Sequence, residues 1–423
     1  MIEFYKEFGD LGYLANYSNH GFTIDNIYYK TVEHYYQAMK YEDKEIREKI
    51  INAETPKEAS NIGRDRNNKR IDNFKKIKDD IMYNGILEKF RQNRDIAFKL
   101  IETRNQEIAE ATVDEYYWGI GKDRTGENHI GKILVKVRDR IKKEILDSII
   151  NKAKKEDVVY VIGHKRPDAD SYFSSILLAR VLRSLGINAK AALLDKDYEV
   201  ISSEKELIND YKIDELEIIN NSNKFILVDH NNLEGLSSDN VLGAIDHHII
   251  SGEVYDTLEI EYASTGLLIY DLFKDIYKFN KEERLLIYLT VLTDTEYLCS
   301  SRFTLEDRKL FDKLKIKEDV NELQRKYFVT TDFSKDIDVN LKENYKEYKR
   351  EGLDIFRSLI TSYNKEYSDY YKDYKKYVWD KENYLLIWVD YELKQTHVIF
   401  NKREINYDYV ISSTNLILKE LLK

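Results

Sequence analysis

Three short runs constrain this chain more than anything else in it: VVYVIGH at 158–164, KFILVDH at 224–230 and VLGAIDH at 241–247. Each is apolar at successive positions, so neither face of such a strand can be left to water. A strand buried on both faces needs helices on both sides of its sheet, which predicts a parallel α/β sheet. Helix-period sequence follows the first run, from Ser171 to about Leu185, and another strand is expected at 189–195. From about 264 the pattern turns helical through LLIYDLFKDIY and EERLLIYLTVLTDT. Beyond it the sequence predicts a smaller α+β domain, with a helix and strands near 384–391, 396–401 and 408–412.

Each of the three runs ends on polar ligands. His164, Asp168 and Asp170 stand in GHKRPDADS (163–171), Asp229 in VDHN (228–231), and His247 and His248 in IDHH (245–248), with Asp294 following in TDT (293–295). Strand C-terminal ends are where open α/β sheets place their sites. A lone Asp-His pair is ordinarily a capped turn, but here four of the eight histidines lie in these motifs. Carboxylate and imidazole without thiolate suits Mn²⁺, Mg²⁺ or Co²⁺. Two such ions, about 3.5–4 Å apart, activate water and neutralise charge on a transferring phosphoryl group. A strand-end carboxylate such as Asp229 is suited to bridge them.

These motifs resemble the DHH phosphoesterase superfamily, and within it the manganese-dependent family II inorganic pyrophosphatases and related exopolyphosphatases, over about 157–423. The resemblance implies two ions: His164, Asp168 and Asp229 on one, Asp170, Asp229, His247 and Asp294 on the other, with His248 facing the substrate phosphate. It also implies a DHH-associated C-terminal domain. The Ser-Arg-Lys motif that grips pyrophosphate in that family is Ser412-Ser413-Thr414 here, and the Phe-Lys-Ser-Pro run is Leu298-Cys299-Ser300-Ser301. Lys346 is a surviving substrate lysine on this alignment. Pyrophosphate carries up to about four charges and needs cations to be desolvated, so the expected substrate is another phosphoester or phosphoanhydride, a nucleotide above all.

The N-terminal part is mostly helical by period. Thr31 stands as N-cap of TVEHYYQAMKYED, and Thr55, Pro56 and Glu58 form a capping-box start to TPKEASNIG. Glu33 and Lys40 are seven residues apart, on one helix face with Tyr36 and Gln37 between. Further on, Asp114 and Glu115 precede a WGIG turn, and Gly119, Gly121, Gly126 and Gly131 crowd into thirteen residues. Such glycine density lets backbone amides approach an anion, although a plain tight-turn hairpin has the same spacing.

LANYS with Asn16, VEHYYQAMK, TPKEASNIGR, IMYNGILEKFRQN, YWGIG and GENHIGKILVKVR, in that order, resemble the YbiA-like, or NADAR, family over roughly 1–145. Its members cleave N-glycosidic bonds, some in phosphorylated riboflavin-pathway intermediates and others between ADP-ribose and guanine. The resemblance implies an α+β domain in which Glu33 is the leading catalytic carboxylate, stabilising oxocarbenium character or activating water. Lys40 is a second candidate for the anomeric carbon or a phosphate. Asn16, Tyr36, Phe74, Trp118, Gly119 and Asn128 would contact substrate. Phe74 replaces the family's usual Trp, and either Asp114 or Glu115 takes the place of its Asp.

Composition narrows the rest. At 423 residues two or three domains are expected, with boundaries giving 1–148, 157–310 and 330–423. A single cysteine, Cys299, excludes an intramolecular disulfide and an all-cysteine zinc site. Residues 1–150 are neutral, so 151–423 carry the whole net charge of −10, which opposes a broad non-specific nucleic-acid surface. The stretch 64–99, with eleven basic and six acidic residues, fits a solvated helix face better than a phosphate site. Tyr363, Tyr367, Tyr370, Tyr374 and Tyr377 share a helix face that fits packing on a sheet better than base stacking. There is no apolar run of membrane-spanning length and no signal-peptide start, so the expectation is a soluble, cytoplasmic protein without a membrane partner. The whole predicts a bifunctional nucleotide hydrolase with an ADP-ribose-type or ribose-phosphate substrate. ADP-ribosylated guanine in nucleic acid is a further candidate, and a homodimer is compatible. The alternative is a manganese-dependent pyrophosphatase or exopolyphosphatase whose NADAR domain senses ADP-ribose.

Overall fold

The computed structural model describes all residues except 195–203, 212, 214–216, 220–222, 249–252, 255, 301, 328–330, 344, 351, 412–413 and 423. The chain divides into two compact units, 1–152 with 256–260 and 153–255 with 261–423.

The first unit is mostly helical. Its elements are β1 (Ile2–Phe4), β2 (Phe22–Ile24), β3 (Ile27–Tyr29), α1 (Val32–Ala38), α2 (Lys44–Asn52), α3 (Pro56–Arg64), α4 (Phe74–Gln92), α5 (Arg94–Ile101), β4 (Ile108–Glu110) and α6 (His129–Ala153). Thr31 and Thr55 cap α1 and α3 with their hydroxyls, and Pro56 occupies the first turn of α3. The Glu58 carboxylate takes the Glu54 amide at 2.7 Å instead of the N-cap's own, so only half of the predicted capping box forms. α1 also ends at Ala38, earlier than its apolar period suggests. The β1–β4 parallel pair and the β2–β3 hairpin escape the sequence because three-residue strands carry almost no period.

Lys89 departs most from expectation. Its solvated-looking stretch turns this one side chain inward, fully buried, where Nζ donates to Tyr13 O at 2.6 Å, Ala15 O at 3.0 Å and Ser18 Oγ at 3.0 Å. Burial pushes the ammonium down to about 7, yet three acceptors match the three donors of the charged form, and a neutral amine would leave one unmatched. The ammonium therefore fastens the 13–18 loop to α4. Lys89→Met removes three buried hydrogen bonds and leaves the Tyr13 and Ala15 carbonyls only their Ser18 donors, at 3.5 and 3.2 Å, and is expected to cost on the order of 3 kcal/mol, read as loss of amide-exchange protection in 13–18 and α4.

In the second unit five strands run parallel in the order β9-β8-β5-β6-β7. They are β5 (Val159–Ile162), β6 (Ala189–Leu194), β7 (Glu217–Ile219), β8 (Phe225–Val228) and β9 (Val241–Asp246). The chain leaves β5 toward β6 and β7, then returns to β8 on the other side. That makes a topological switch point between β5 and β8, the crevice where such sheets bind ligands. α7 (Ala169–Ser184) packs against α9 (Thr265–Phe273) and α10 (Lys281–Asp294), and α8 (Lys205–Tyr211) and β10 (Thr257–Glu259) lie between in sequence.

After α11 (Leu305–Phe311), α12 (Val320–Tyr327) and α13 (Ile337–Glu343) comes a second sheet, β11-β12-β13-β14-β15. Its strands are β11 (Tyr345–Arg350), β12 (Leu353–Ser362), β13 (Tyr384–Asp390), β14 (Gln395–Phe400) and β15 (Arg403–Tyr407), with α14 (Asn364–Val378) and α15 (Thr414–Leu421). The last strand is thus 403–407 and not 408–412. Val410 is apolar because it is buried and bridges to Ser300, and burial without a strand misled the period. On α14 the buried tyrosines are Tyr371 and Tyr374, packed on Trp388, with Tyr367 half-buried beside them. Tyr370 and Tyr377 are exposed. Among the described residues no helix is long and apolar enough to cross a membrane.

Candidate active site and candidate metal centre

In the first unit a cavity of about 920 Å³ opens beside α1, large enough for a nucleotide. Glu33 stands in the first turn of α1, where a helix N-terminus favours negative charge. Asn16 Nδ2 donates to its Oε2 at 2.7 Å and Gln37 Nε2 to its Oε1 at 2.7 Å. Gln37 Oε1 in turn accepts from Lys40 Nζ at 2.5 Å. Glu33 and Gln37 stand one turn apart on α1, and Lys40 reaches back from the turn past its end, so a continuous chain of hydrogen bonds aims the carboxylate. α3 comes so close that a Cβ on Gly63 would lie 2.1 Å from Gln37 Oε1. Burial lowers Lys40 to about 8, against the opposing pull of Glu33. Its ammonium also lies 5.0 Å from the Tyr36 ring and 5.5 Å from that of Phe74.

Tyr36, Trp118 and Glu115 line the cavity with these residues, as do the cations Lys57 and Arg64. Phe74 packs behind Tyr36 at 5.6 Å between ring centres. Glu115 Oε1 accepts the amides of Tyr117 and Trp118 at 3.2 and 3.3 Å, which places its carboxylate at the turn, while Asp114 is exposed and outside the wall. The glycine-rich segment spends its amides internally. Those of Gly126, Glu127, Asn128, His129 and Ile130 bond to carbonyls of residues 116–120 at 2.7–3.1 Å. Gly119 serves close packing, since a Cβ there would sit 2.6 Å from Glu110 O. Asn128 fastens β4, its Nδ2 donating to Ile108 O at 2.8 Å and its Oδ1 accepting from Glu110 N at 3.2 Å. Glu110, which lines the cavity, has no signal in the sequence, because it ends a three-residue strand.

In the second unit the motif segments gather, among the described residues, three groups of side chains able to hold a metal ion: His164, Asp168 and Asp229; Asp170, His247 and Asp294; and Asp229, His247 and His248. Asp229 joins the groups. Its Oδ2 lies 3.4 Å from His164 Nε2 and its Oδ1 3.3 Å from His247 Nε2, one oxygen for each. The backbone at Asp229 is left-handed, φ 64°, a strain kept where function requires it. Asp168 caps α7 through one oxygen. Asp170 accepts the Thr265 and Gly266 amides of the α9 N-terminus at 2.6 and 2.9 Å and the Ser174 hydroxyl at 2.9 Å. Burial and the Asp229 and Asp294 carboxylates nevertheless push it well above the usual carboxylate range.

The donor set fits a divalent cation. His247 Nδ1 is bonded to Tyr262 O at 2.9 Å, which orients the ring and leaves Nε2 to act as ligand. Nε2 is buried without a hydrogen bond, 3.2 Å from Asp294 Oδ2 and 3.8 Å from Asp170 Oδ2. A lone pair facing carboxylates is repulsive until a cation stands between them. Asp294 closes the C-terminus of α10, the negative end of the helix dipole, which again asks for a positive partner. His248 is exposed, with Nδ1 held by Asp246 Oδ1 at 2.9 Å. Glu204, which no motif marks, accepts the Ala169 amide at 2.6 Å, and burial with Asp168 nearby raises it to about 8. Lys346 is exposed on β11, in register with Arg357, whose Nε donates to Thr414 Oγ1 at 2.9 Å. Ser412 and Ser413 lie outside the described residues.

Residues 3–142 match the NADAR domain and residues 158–294 the DHH family N-terminal domain. An N-glycosidase of Nostoc punctiforme is 37% identical over 144 residues, covering 33% of this chain and 92% of its own. The N-glycosidase YbiA of Escherichia coli is 31% identical over 141 residues, 33% of this chain and 88% of its own. A Methanococcus jannaschii protein described as a family II inorganic pyrophosphatase aligns over 62% of this chain and 98% of its own, at 20% identity and a TM-score of 0.43.

Proposed function

The chain belongs to the NADAR family and carries a DHH family N-terminal domain, and on that premise we propose that it is a bifunctional nucleotide hydrolase. Its first unit cleaves an N-glycosidic bond to an ADP-ribose-type or ribose-phosphate group. The observation that carries this reading is the Glu33 carboxylate, held through both oxygens by Asn16 and Gln37 beside Lys40 and Arg64 in a nucleotide-sized cavity. Glu33 stabilises positive charge developing at C1′ or takes the proton of an attacking water, while the cations suit substrate phosphates.

The second unit hydrolyses a phosphoester or phosphoanhydride. His164, Asp168 and Asp229 would hold one Mn²⁺, Mg²⁺ or Co²⁺ ion, and Asp170, Asp229, His247 and Asp294 another. Bound there, the ions would activate a water at neutral pH and neutralise phosphoryl charge. Tyr262 and Asp246 keep the two imidazoles in place for that task. With the clamp cations replaced by Ser413 and Thr414, free pyrophosphate is a poor substrate, and ADP-ribose released by the first unit contains a suitable anhydride.

Incubating ADP-ribosylated guanosine with the protein and Mn²⁺, and separating products by chromatography, tests the whole reading. Guanosine and phosphate-cleaved ribose products are expected. Intact ADP-ribose accumulating with no later product would refute the sequence of two steps, and no released guanosine would refute the glycosidase. Rapid release of phosphate from pyrophosphate would instead favour a pyrophosphatase with a sensing domain.

A further inference from the structure

The Glu110 side chain sits in the wall of the first unit's cavity together with Glu33 and Glu115. The backbone of Glu110 is fixed from both sides: its amide donates to Asn128 Oδ1 at 3.2 Å and its carbonyl accepts the Ile120 amide at 2.8 Å. Its side chain is provided for differently. Thr112 Oγ1 donates to Oε1 at 3.1 Å, while Oε2 is buried with no hydrogen-bond partner. An ionised carboxylate would leave a charged oxygen unsatisfied there, the environment of a neutral acid. No cation pairs with it through a salt bridge among the described residues. Glu33 differs, with a donor on each oxygen.

Among the carboxyl groups on this cavity, the richly bonded Glu33 and the donor-starved Glu110 make the arrangement in which glycosidases divide the work between base and acid. Resting on the glycosidase reading above, we propose that Glu110 is the general acid of the first unit, giving its proton to the departing nitrogen, and that the site therefore serves N-glycosides whose leaving group must be protonated. As the C1′–N bond breaks, its electron pair passes to nitrogen and takes the Glu110 proton, which requires the carboxyl to turn so that Oε2, buried in the resting site, meets that nitrogen. Water adds to C1′ and loses a proton to Glu33, and solvent exchange returns Glu110 to the acid. Neutral heterocycles and amines need that proton to leave, whereas the cationic pyridinium of nicotinamide nucleotides departs neutral without one. Burial first, then the nearby Glu115 and Glu33 carboxylates, holds the Glu110 acid up to about 7, against the Thr112 hydrogen bond. Lys40, Lys57 and Arg64 also line the cavity and act in the opposite sense.

The experiment follows guanine-side release from ADP-ribosylated guanosine, and nicotinamide release from nicotinamide mononucleotide, across pH for wild type, Glu110→Gln and Thr112→Val. Wild type is expected to lose kcat/KM on the first substrate as pH rises through about 7. Glu110→Gln, close in shape, should lower that rate about 10²–10⁴-fold and abolish the alkaline limb. Thr112→Val removes the hydrogen bond that favours the ionised form and should move the limb to higher pH. An active wild type whose rate and alkaline limb survive both substitutions overturns the role of Glu110. So does preferential cleavage of the nicotinamide nucleotide. A wild type that releases no base from any substrate overturns the glycosidase reading itself.

Discussion

Asp229→Asn is expected to lower metal-dependent phosphate release about 10³-fold or more, because it removes the ligand shared by both candidate ions and with it several kcal/mol of charge stabilisation. The geometry makes the size of the effect specific to this residue. Its two oxygens face His164 and His247 separately, and an amide can present only one oxygen. A second readout needs no substrate. Wild type at Mn²⁺ about a hundredfold above Kd should gain about 2.7 kcal/mol of stability, and the variant should lose most of that gain. N-glycosidase activity in the same preparation should be unchanged. A variant that keeps both phosphate release and Mn²⁺ stabilisation would remove the metal centre from the reading.

Glu33→Ala is expected to lower N-glycosidic cleavage about 10²–10⁴-fold, mainly in kcat. Asn16 and Gln37 each lose an acceptor in that variant, so part of the loss belongs to their relaxation. Glu33→Gln separates the two contributions. It keeps the volume but turns an amide NH₂ toward a neighbour that is itself a donor, so its rate should fall comparably. Phosphate release supplied with a preformed nucleotide should be untouched in both variants. If cleavage persists at wild-type rate while ligand still binds, the first unit is a sensor and not a glycosidase.

Much of this is legible in the order of the residues alone. The runs at 158–164, 224–230 and 241–247 are apolar on both faces, and that by itself requires a covered parallel sheet, with the motif residues at its strand ends. Lys40 joins Glu33 from the turn past α1, which period alone does not show, whereas the Glu33 and Gln37 spacing is legible, because side chains one helical turn apart share a face. Glu110, Lys89 and Glu204 are not. Each stands outside a regular element, in one too short, or on a face too polar, for periodicity to mark it, and each acquires its character from residues far away in sequence. Lys89 is buried because the carbonyls of Tyr13 and Ala15 meet it. Glu110 is starved of donors because of what surrounds β4.

The sequence by itself thus determined the NADAR family membership, the DHH domain match, the α/β sheet and the identity of the candidate metal-binding side chains, since these rest on local pattern and local order. Only the tertiary structure decided which oxygen of Asp229 faces which histidine, that Asn128 holds β4, that Asp114 stays outside the cavity while Glu115 enters it, and that Glu110 joins it. Those are matters of ångströms between distant parts of the chain. Hydrogen bonding and burial act at that range, and a linear pattern does not record it.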